Sequence, residues 1–89
     1  MEDPYLNLRK QLEQEDWPNV YMFKFIIPNS SENIAQTIAL FNEESAEITI
    51  HESKTGKFAS ISAKELMLDV DSIIAKYENA TKIKGLMAL

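Results

Sequence analysis

The segment VYMFKFII, residues 20–27, indicates the fold of this chain more clearly than any other. Large apolar side chains recur there at every second position, which is typical of a β-strand that buries one face. The recurring set is Tyr21, Phe23, Phe25 and Ile27, and the intervening set is Val20, Met22, Lys24 and Ile26. We expect the aromatic set to face the core. PNSS then ends the strand, because Pro28 has no N–H to donate to a neighbouring strand.

Two later segments have the spacing of helices that bury one side. Ser30 or Ser31 can cap the first helix, and Glu32 lies near its positive end. Its apolar stripe is Ile34, Ala35, Ile38 and Phe41. The second runs from Asp69, a suitable cap, to about Asn79. Its stripe is Val70, Ile73, Ile74 and Tyr77.

Three further segments are predicted as strands. AEITIHE (46–52) alternates, with Ile48 and Ile50 inward, and KFASISA (57–63) is its expected hairpin partner, with Ala59, Ile61 and Ala63 inward. The SKTG between them contains Gly56, which supplies the positive φ that a short hairpin loop requires. TKIKGLMAL (81–89) closes the chain as a last strand, with Gly85 as a weak point or bulge.

The order strand, helix, strand, strand, helix, strand predicts an α+β fold of the ferredoxin-like βαββαβ type. In this sandwich two helices cover one face of a four-stranded antiparallel sheet. Residues 4–14 predict a short amphipathic helix, with Tyr5, Leu8 and Leu12 on one side. We therefore divide the chain into an N-terminal helical arm, 1–19, and a single domain, 20–89. Trp17, before a proline, is expected to anchor the arm by burying its indole ring.

Composition narrows the class of protein. Eighty-nine residues suffice for one domain, and the initial Met1 predicts a complete small protein. Nine basic against fourteen acidic residues leave a net charge of −5, which argues against non-specific nucleic-acid binding. The chain has no cysteine, no long apolar span and no signal peptide, so we predict a cytoplasmic protein that does not bind membranes.

Motifs that carry chemistry fail on inspection. A phosphate-binding loop needs a glycine where His51 stands and a Ser or Thr where Phe58 stands. The only arginine, Arg9, precedes the first strand, so the acylphosphatase type of phosphate clamp is missing. With a single histidine, the chain cannot form a multi-histidine metal site. We predict no catalytic residue, no metal and no cofactor, and hence no enzyme.

The sheet face opposite the helices is the remaining candidate site. By alternation it carries Met22, Lys24, Ile26, Thr49, His51, Phe58, Ser60 and Ser62. Such a semi-apolar patch is typical of a partner surface. Alternatively, the N-terminal helix folds back and covers it. RNA binding is a remote alternative: Phe58 offers one ring for base stacking, but Ser60 stands where a second ring is needed.

The chain also resembles the YbeD-like family of small bacterial proteins of unknown function. The resemblance spans nearly the whole chain and rests on LRKQLEQEDWPNVYMFKFI (8–26) and SKTGKFASISA (53–63), with VDSIIAKY (70–77) and the closing KIKGLMAL (82–89). It implies a ferredoxin-like fold close to the ACT regulatory domains, which bind small effectors, and it implies no catalytic residue. The family tends to a glycine after its first strand, where this chain has IIPN. The resemblance therefore supports the fold more than effector binding.

Two functions follow as hypotheses. The first is a non-enzymatic regulatory or protein-interaction module whose partner is unidentified and which forms a homodimer through its sheet. Its interaction face is Met22, Lys24, Ile26, His51, Phe58, Ser60 and Ser62. The alternative is an ACT-like sensor of a small-molecule effector such as an amino acid.

Overall fold

The computed structural model describes residues 3–89, which form three helices and four strands. Met1 and Glu2, which the predicted arm includes, lie outside the described residues. In chain order the elements are α1 (Leu6–Leu12), β1 (Asn19–Pro28), α2 (Ser31–Ile38), β2 (Glu47–Glu52), β3 (Phe58–Met67), α3 (Val70–Ala80) and β4 (Met87–Ala88).

The four strands form one antiparallel sheet in the order β2-β3-β1-β4. The two longest strands, β1 and β3, lie side by side at its centre and pair over their whole length, from Asn19 opposite Met67 to Pro28 opposite Phe58. Because β1 and β2 are joined through a helix and separated in the sheet by β3, the arrangement is compatible with the predicted ferredoxin-like fold. The α+β class and the antiparallel sheet are confirmed.

The core lies between the sheet and the helices. Phe23, Phe25 and Ile27 of β1 are fully buried, and Tyr21 is half-buried, as the alternation predicts. The aromatic rings pack on one another, with ring centres 5.4 Å apart for Phe23 and Phe41. A larger cluster joins β1 to α3 and the arm, and a smaller one joins Ile27 to β3 at the other end.

The helix caps follow the sequence closely. Ser30 caps α2, because its Oγ accepts a hydrogen bond from the Asn33 N–H at 3.1 Å. Asp69 caps α3 in a reciprocal box with Ser72. The predicted stripe of α2 is wrong at Ala35, which is exposed. Thr37 is buried instead, and its hydroxyl donates to the Asn33 carbonyl at 2.8 Å, so a polar residue satisfied by its own helix occupies the core side.

The predicted bounds of two strands are wrong. Strand β3 continues to Met67, four residues beyond the predicted end, with Glu65 and Met67 on its buried side. Strand β4 is only Met87–Ala88, because the chain turns repeatedly after α3 and Gly85 adopts φ +79°. A Cβ at Gly85 would lie 2.7 Å from the Pro28 Cγ, so this close approach requires glycine.

The β2–β3 hairpin agrees with its prediction at the turn. Gly56 has φ +74°, and its N–H donates to the Ser53 carbonyl at 3.0 Å. Asn29 holds the loop in place by donating from its side chain to the Gly56 carbonyl at 3.0 Å. One expectation about β2 is only partly met: Ile48 is half-buried, but Ile50 is exposed at the edge of the sheet.

A buried ion pair, absent from the sequence-based prediction, links the two sides of the core. The Glu65 carboxylate lies 2.9 Å from the Lys76 ammonium and also accepts from the Asn42 N–H at 2.9 Å. Lys76 donates to the Leu40 carbonyl at 2.7 Å and lies over the Phe41 ring. These bonds fix the α2–β2 connection against β3 and α3, and they satisfy the charges that burial would otherwise penalise.

Candidate interaction surface

The sheet face opposite the helices, hereafter the open face, is the candidate site. On β1, Met22 and Lys24 are exposed, whereas Phe23 and Phe25, which alternate with them, are fully buried. The cross-strand register places one row of side chains from every strand on this side. Its members are Val20, Met22, Lys24, Ile26, Glu47, Thr49, His51, Phe58, Ser60, Ser62, Lys64, Leu66 and Met87.

The N-terminal arm does not cover the open face. Leu12 is buried in the core on the helix side, and Tyr5, Leu8 and Trp17 pack against the same cluster. The Trp17 indole, half-buried as an anchor, donates to the Leu12 carbonyl at 2.8 Å. Of the two alternatives that the sequence left open, self-coverage by the described part of the arm is therefore wrong.

An exposed ion pair ties the arm to α3. The Arg9 guanidinium donates to the Asp71 carboxylate at 2.6 Å, and this hydrogen bond raises the pKa of Arg9. Asp71, in the first turn of α3, therefore has Arg9 of the arm as its partner. The arm is held on the far side of the molecule from the open face.

All seven residues predicted for the interaction face lie on the open face. Lys24, Ser62 and Thr49 form one cross-strand row. Ile26, Ser60, His51 and Met87 form the next row. Phe58 closes this end opposite Pro28, and Met22 lies towards the other end opposite Lys64.

Three large apolar members were missing from the predicted interaction face, although the alternation in β1 had assigned one of them, Val20, to the same side of the strand as Met22. Val20, Leu66 and Met87 are all more than half exposed, at 59%, 59% and 55%. Leu66 was missed because β3 was ended too early, although the alternation from Phe58 continues through it. Val20 and Leu66 are direct cross-strand partners, so they form an apolar end to the face.

The open face varies in height as well as in polarity, because large and small side chains lie on neighbouring strands. The large side chains of Met22, Lys24 and Ile26 follow one another on β1, whereas β3 beside it carries the small Ser60 and Ser62. A depression of about 330 Å³ lies over Ser60, between His51 and Ile26 and bounded by Phe58 and Met87. A second, of about 130 Å³, lies over Ser62, between Met22 and Thr49. We call the β1 row the ridge and the β3 serines with these depressions the trough.

The charges on the open face differ from those of the whole chain. Lys24 and Lys64 project from it against the single carboxylate of Glu47, although the chain carries a net charge of −5. Glu47 is the direct cross-strand partner of Lys64. The face therefore offers cations to a partner's acids, and one acid to a partner's cations.

Groups that could do chemistry are sparse in the described residues. Over residues 3–89 no three His, Asp or Glu side chains gather closely enough to hold a metal ion. His51 lies directly across from Ser60, but within the described chain neither side chain makes a hydrogen bond to the other. No helix in residues 3–89 has the length and apolar character to cross a membrane.

Comparison of the chain with protein-family models, with curated proteins and with solved structures found no match. The resemblance to the YbeD-like family therefore stays a prediction, as does the closer likeness to ACT domains.

Proposed function

We propose that this protein is a non-catalytic interaction module that associates with a second copy of itself through the open face. The observation that carries the proposal is that this face is semi-apolar and uncovered while the arm packs on the opposite side of the sheet. Exposed apolar side chains gathered on one face are typical of a protein–protein contact.

The size of the open face suits a small dimer. β1 and β3 each contribute ten residues. With β2 beside them, strands rising about 3.3 Å per residue and spaced about 4.8 Å apart give a projected area of roughly 450 Å². Two copies would bury roughly 900 Å² on this projection, which is the size of a weak interface rather than of a standard one, so we expect association in the micromolar range.

Two features support a binding rather than a catalytic role. Within residues 3–89 no carboxylate makes a hydrogen bond to His51, so nothing orients this histidine as the base of a nucleophile. The buried carboxylate of Glu65 is occupied by the half-buried Lys76 on the helix side of the sheet. We infer a ferredoxin-like domain whose working surface is its sheet.

Sedimentation velocity from low to high micromolar concentration tests the proposal. We expect a concentration-dependent dimer, and we expect Phe58→Glu to weaken it, because a carboxylate then desolvates in the contact. Leu6→Glu is the matched control, since Leu6 on α1 is 47% exposed and Phe58 is 45% exposed. A strict monomer, or equal effects of the two substitutions, would contradict the proposal.

A small-molecule sensor of the ACT type is a second candidate, favoured by the depression over Ser60. Its volume of about 330 Å³ reaches the lower end of ligand pockets, about 300–1,000 Å³. Ile26, Phe58 and Met87 give it apolar walls, and His51 and Ser60 supply polar groups. Thermal shift against each amino acid tests it, because a ligand at 100 times its Kd stabilises a protein by about 2.7 kcal/mol. No shift with any of them would end this candidate.

A further inference from the structure

The ridge and the trough lie side by side on neighbouring strands. Each large residue of the ridge stands opposite a small residue or a long flexible one: Ile26 opposite Ser60, Lys24 opposite Ser62, and Met22 opposite Lys64. A surface with a raised strip beside a lowered strip is complementary to itself when a second copy is turned so that each strip meets the other.

A two-fold axis in the plane of contact offers two ways to turn the second copy. An axis that runs across the strands at the row of Lys24, Ser62 and Thr49 would place that row on its own copy, and Lys24 would then meet Lys24 of the second copy. An axis parallel to the strands, between β1 and β3, keeps every row in place and exchanges the two strands. In the second arrangement Lys24 lies over the other copy's small Ser62 instead of meeting Lys24 head-on. The two Lys24 side chains are then about 5 Å apart sideways and can diverge towards the outer strands. Because like charges in direct contact are costly, the second arrangement is favoured.

We propose, as an extension of the self-association above, that two copies dock with the β1 ridge of each in the β3 trough of the other. Ile26 of one copy then sits over the other's Ser60, in the larger depression, and Lys24 sits over the other's Ser62. Val20 of one copy meets the other's Leu66, which buries the apolar end of the face. The two sheets pack as an aligned sandwich, crossing at about 30°.

This arrangement assigns a partner to the exposed Lys24. Glu47 lies on β2, the strand beside β3, one cross-strand row further along than Ser62, and it lines the smaller depression. It is therefore about 5 Å to the side and about 7 Å along the strands from the point that the second copy's Lys24 reaches. Across sheets about 10 Å apart, Lys24 and Glu47 meet when both side chains are extended towards each other, beside Lys64 in the same row as Glu47. Symmetry makes two Lys24–Glu47 pairs per dimer, and these pairs fix which way the copies face.

A charge-reversal cycle tests the pairing by sedimentation. Lys24→Glu and Glu47→Lys each replace an attraction by a repulsion at two places, so we expect each to raise the dimer Kd about tenfold. The double variant restores opposite charges and should return the Kd to within about threefold of the original. Lys10→Glu and Glu78→Lys, exposed on helices away from the open face, control for the change in net charge. Circular dichroism verifies the fold of each variant.

The outcomes separate this pairing from the proposal on which it rests. Single variants that weaken the dimer and a double variant that restores it support the pairing. If the singles behave like their controls, or the double variant is no better than the worse single, while Phe58→Glu still dissociates the dimer, the pairing is wrong and self-association through the open face stands. A wild-type chain that never dimerises overturns both.

Discussion

Phe23 and Phe25 are fully buried on one side of β1, whereas Met22 and Lys24, their neighbours in sequence, are exposed on the other. The buried side meets three helices and a network of aromatic rings. The open face meets nothing within the described chain, although it carries Val20, Leu66, Phe58 and Met87. The apolar side chains on the helix side of the sheet are therefore explained by burial in the folded core. Those exposed on the open face have no such role in folding.

This contrast separates stability from function. Burying a large side chain contributes about 1.5–3 kcal/mol, so substitutions on the helix side should lower the free energy of unfolding. Substitutions on the open face should leave the monomer stable and alter only association. Three comparisons between residues test this division.

The largest difference is expected within β1 itself. Phe25→Ala should cost about 3–5 kcal/mol of unfolding free energy, because it removes a fully buried ring among Phe23, Phe41 and Tyr77. Met22→Ala should change the stability by less than about 0.5 kcal/mol. Urea denaturation at low protein concentration, where association is negligible, measures both. Equal costs would show that the two sides of the sheet are not as different as their burial indicates.

A smaller difference in stability is expected between Glu65, on the helix side of the sheet, and Glu47, on the open face. Glu65→Gln leaves the half-buried Lys76 without its carboxylate and should cost about 2–3 kcal/mol, because Glu65 itself is buried. The same change at the exposed Glu47 should have almost no effect on the stability of the monomer. If Glu65→Gln is as harmless as Glu47→Gln in urea denaturation, the ion pair does not hold the α2–β2 connection.

The smallest effect concerns pH. Burial, together with the hydrogen bond to the Tyr21 hydroxyl at 2.9 Å, raises the pKa of Tyr77. The folded state therefore keeps this proton above the unfolded pKa of about 10. Its contribution to stability is complete below about pH 10 and is lost as the pH rises further, by roughly 1 kcal/mol over the next pH unit.

Urea denaturation of Tyr77→Phe at several alkaline pH values isolates this contribution from that of other groups. The wild-type chain should lose stability above about pH 10 faster than the variant does. Tyr5→Phe, on the arm, controls for the removal of a tyrosine hydroxyl elsewhere. Parallel curves for wild type and Tyr77→Phe would contradict the assignment.

Much of the fold could be predicted from local patterns. The alternation in β1, the Asp69 cap and the positive φ of Gly56 each depend on a few adjacent residues and were predicted correctly. The end of β3 was missed because a charged residue, Glu65, occupies a buried position that only a distant partner, Lys76, makes tolerable. The shortness of β4 depends likewise on turns after α3 and on the contact of Gly85 with Pro28.

The open face was predictable in membership but not in shape. Alternation alone assigns Lys24, Ile26, Phe58 and Ser60 to one side of the sheet. Which residues stand beside each other depends on the register of β1 against β3, and that register creates the ridge and the trough. Amphipathic spacing in α1 also indicates that Leu12 is buried without indicating against which surface.

The outer edge of β1 is the alternative contact that the central claim must exclude. β4 pairs only with Phe25 and Ile26, so within the described chain no strand pairs with the outer edge of the segment from Val20 to Phe23, whose other edge pairs with β3. Free strand edges also bind other chains, through backbone hydrogen bonds rather than side chains. A dimer formed there would not depend on Phe58.

The most direct measurement is therefore sedimentation velocity of wild type, Phe58→Glu and Leu6→Glu over the same micromolar range. We predict a concentration-dependent dimer for wild type and Leu6→Glu, and a shift towards monomer for Phe58→Glu. A wild-type monomer at every concentration, or a dimer that is indifferent to Phe58→Glu, would contradict the claim that the open face is the working surface of this protein.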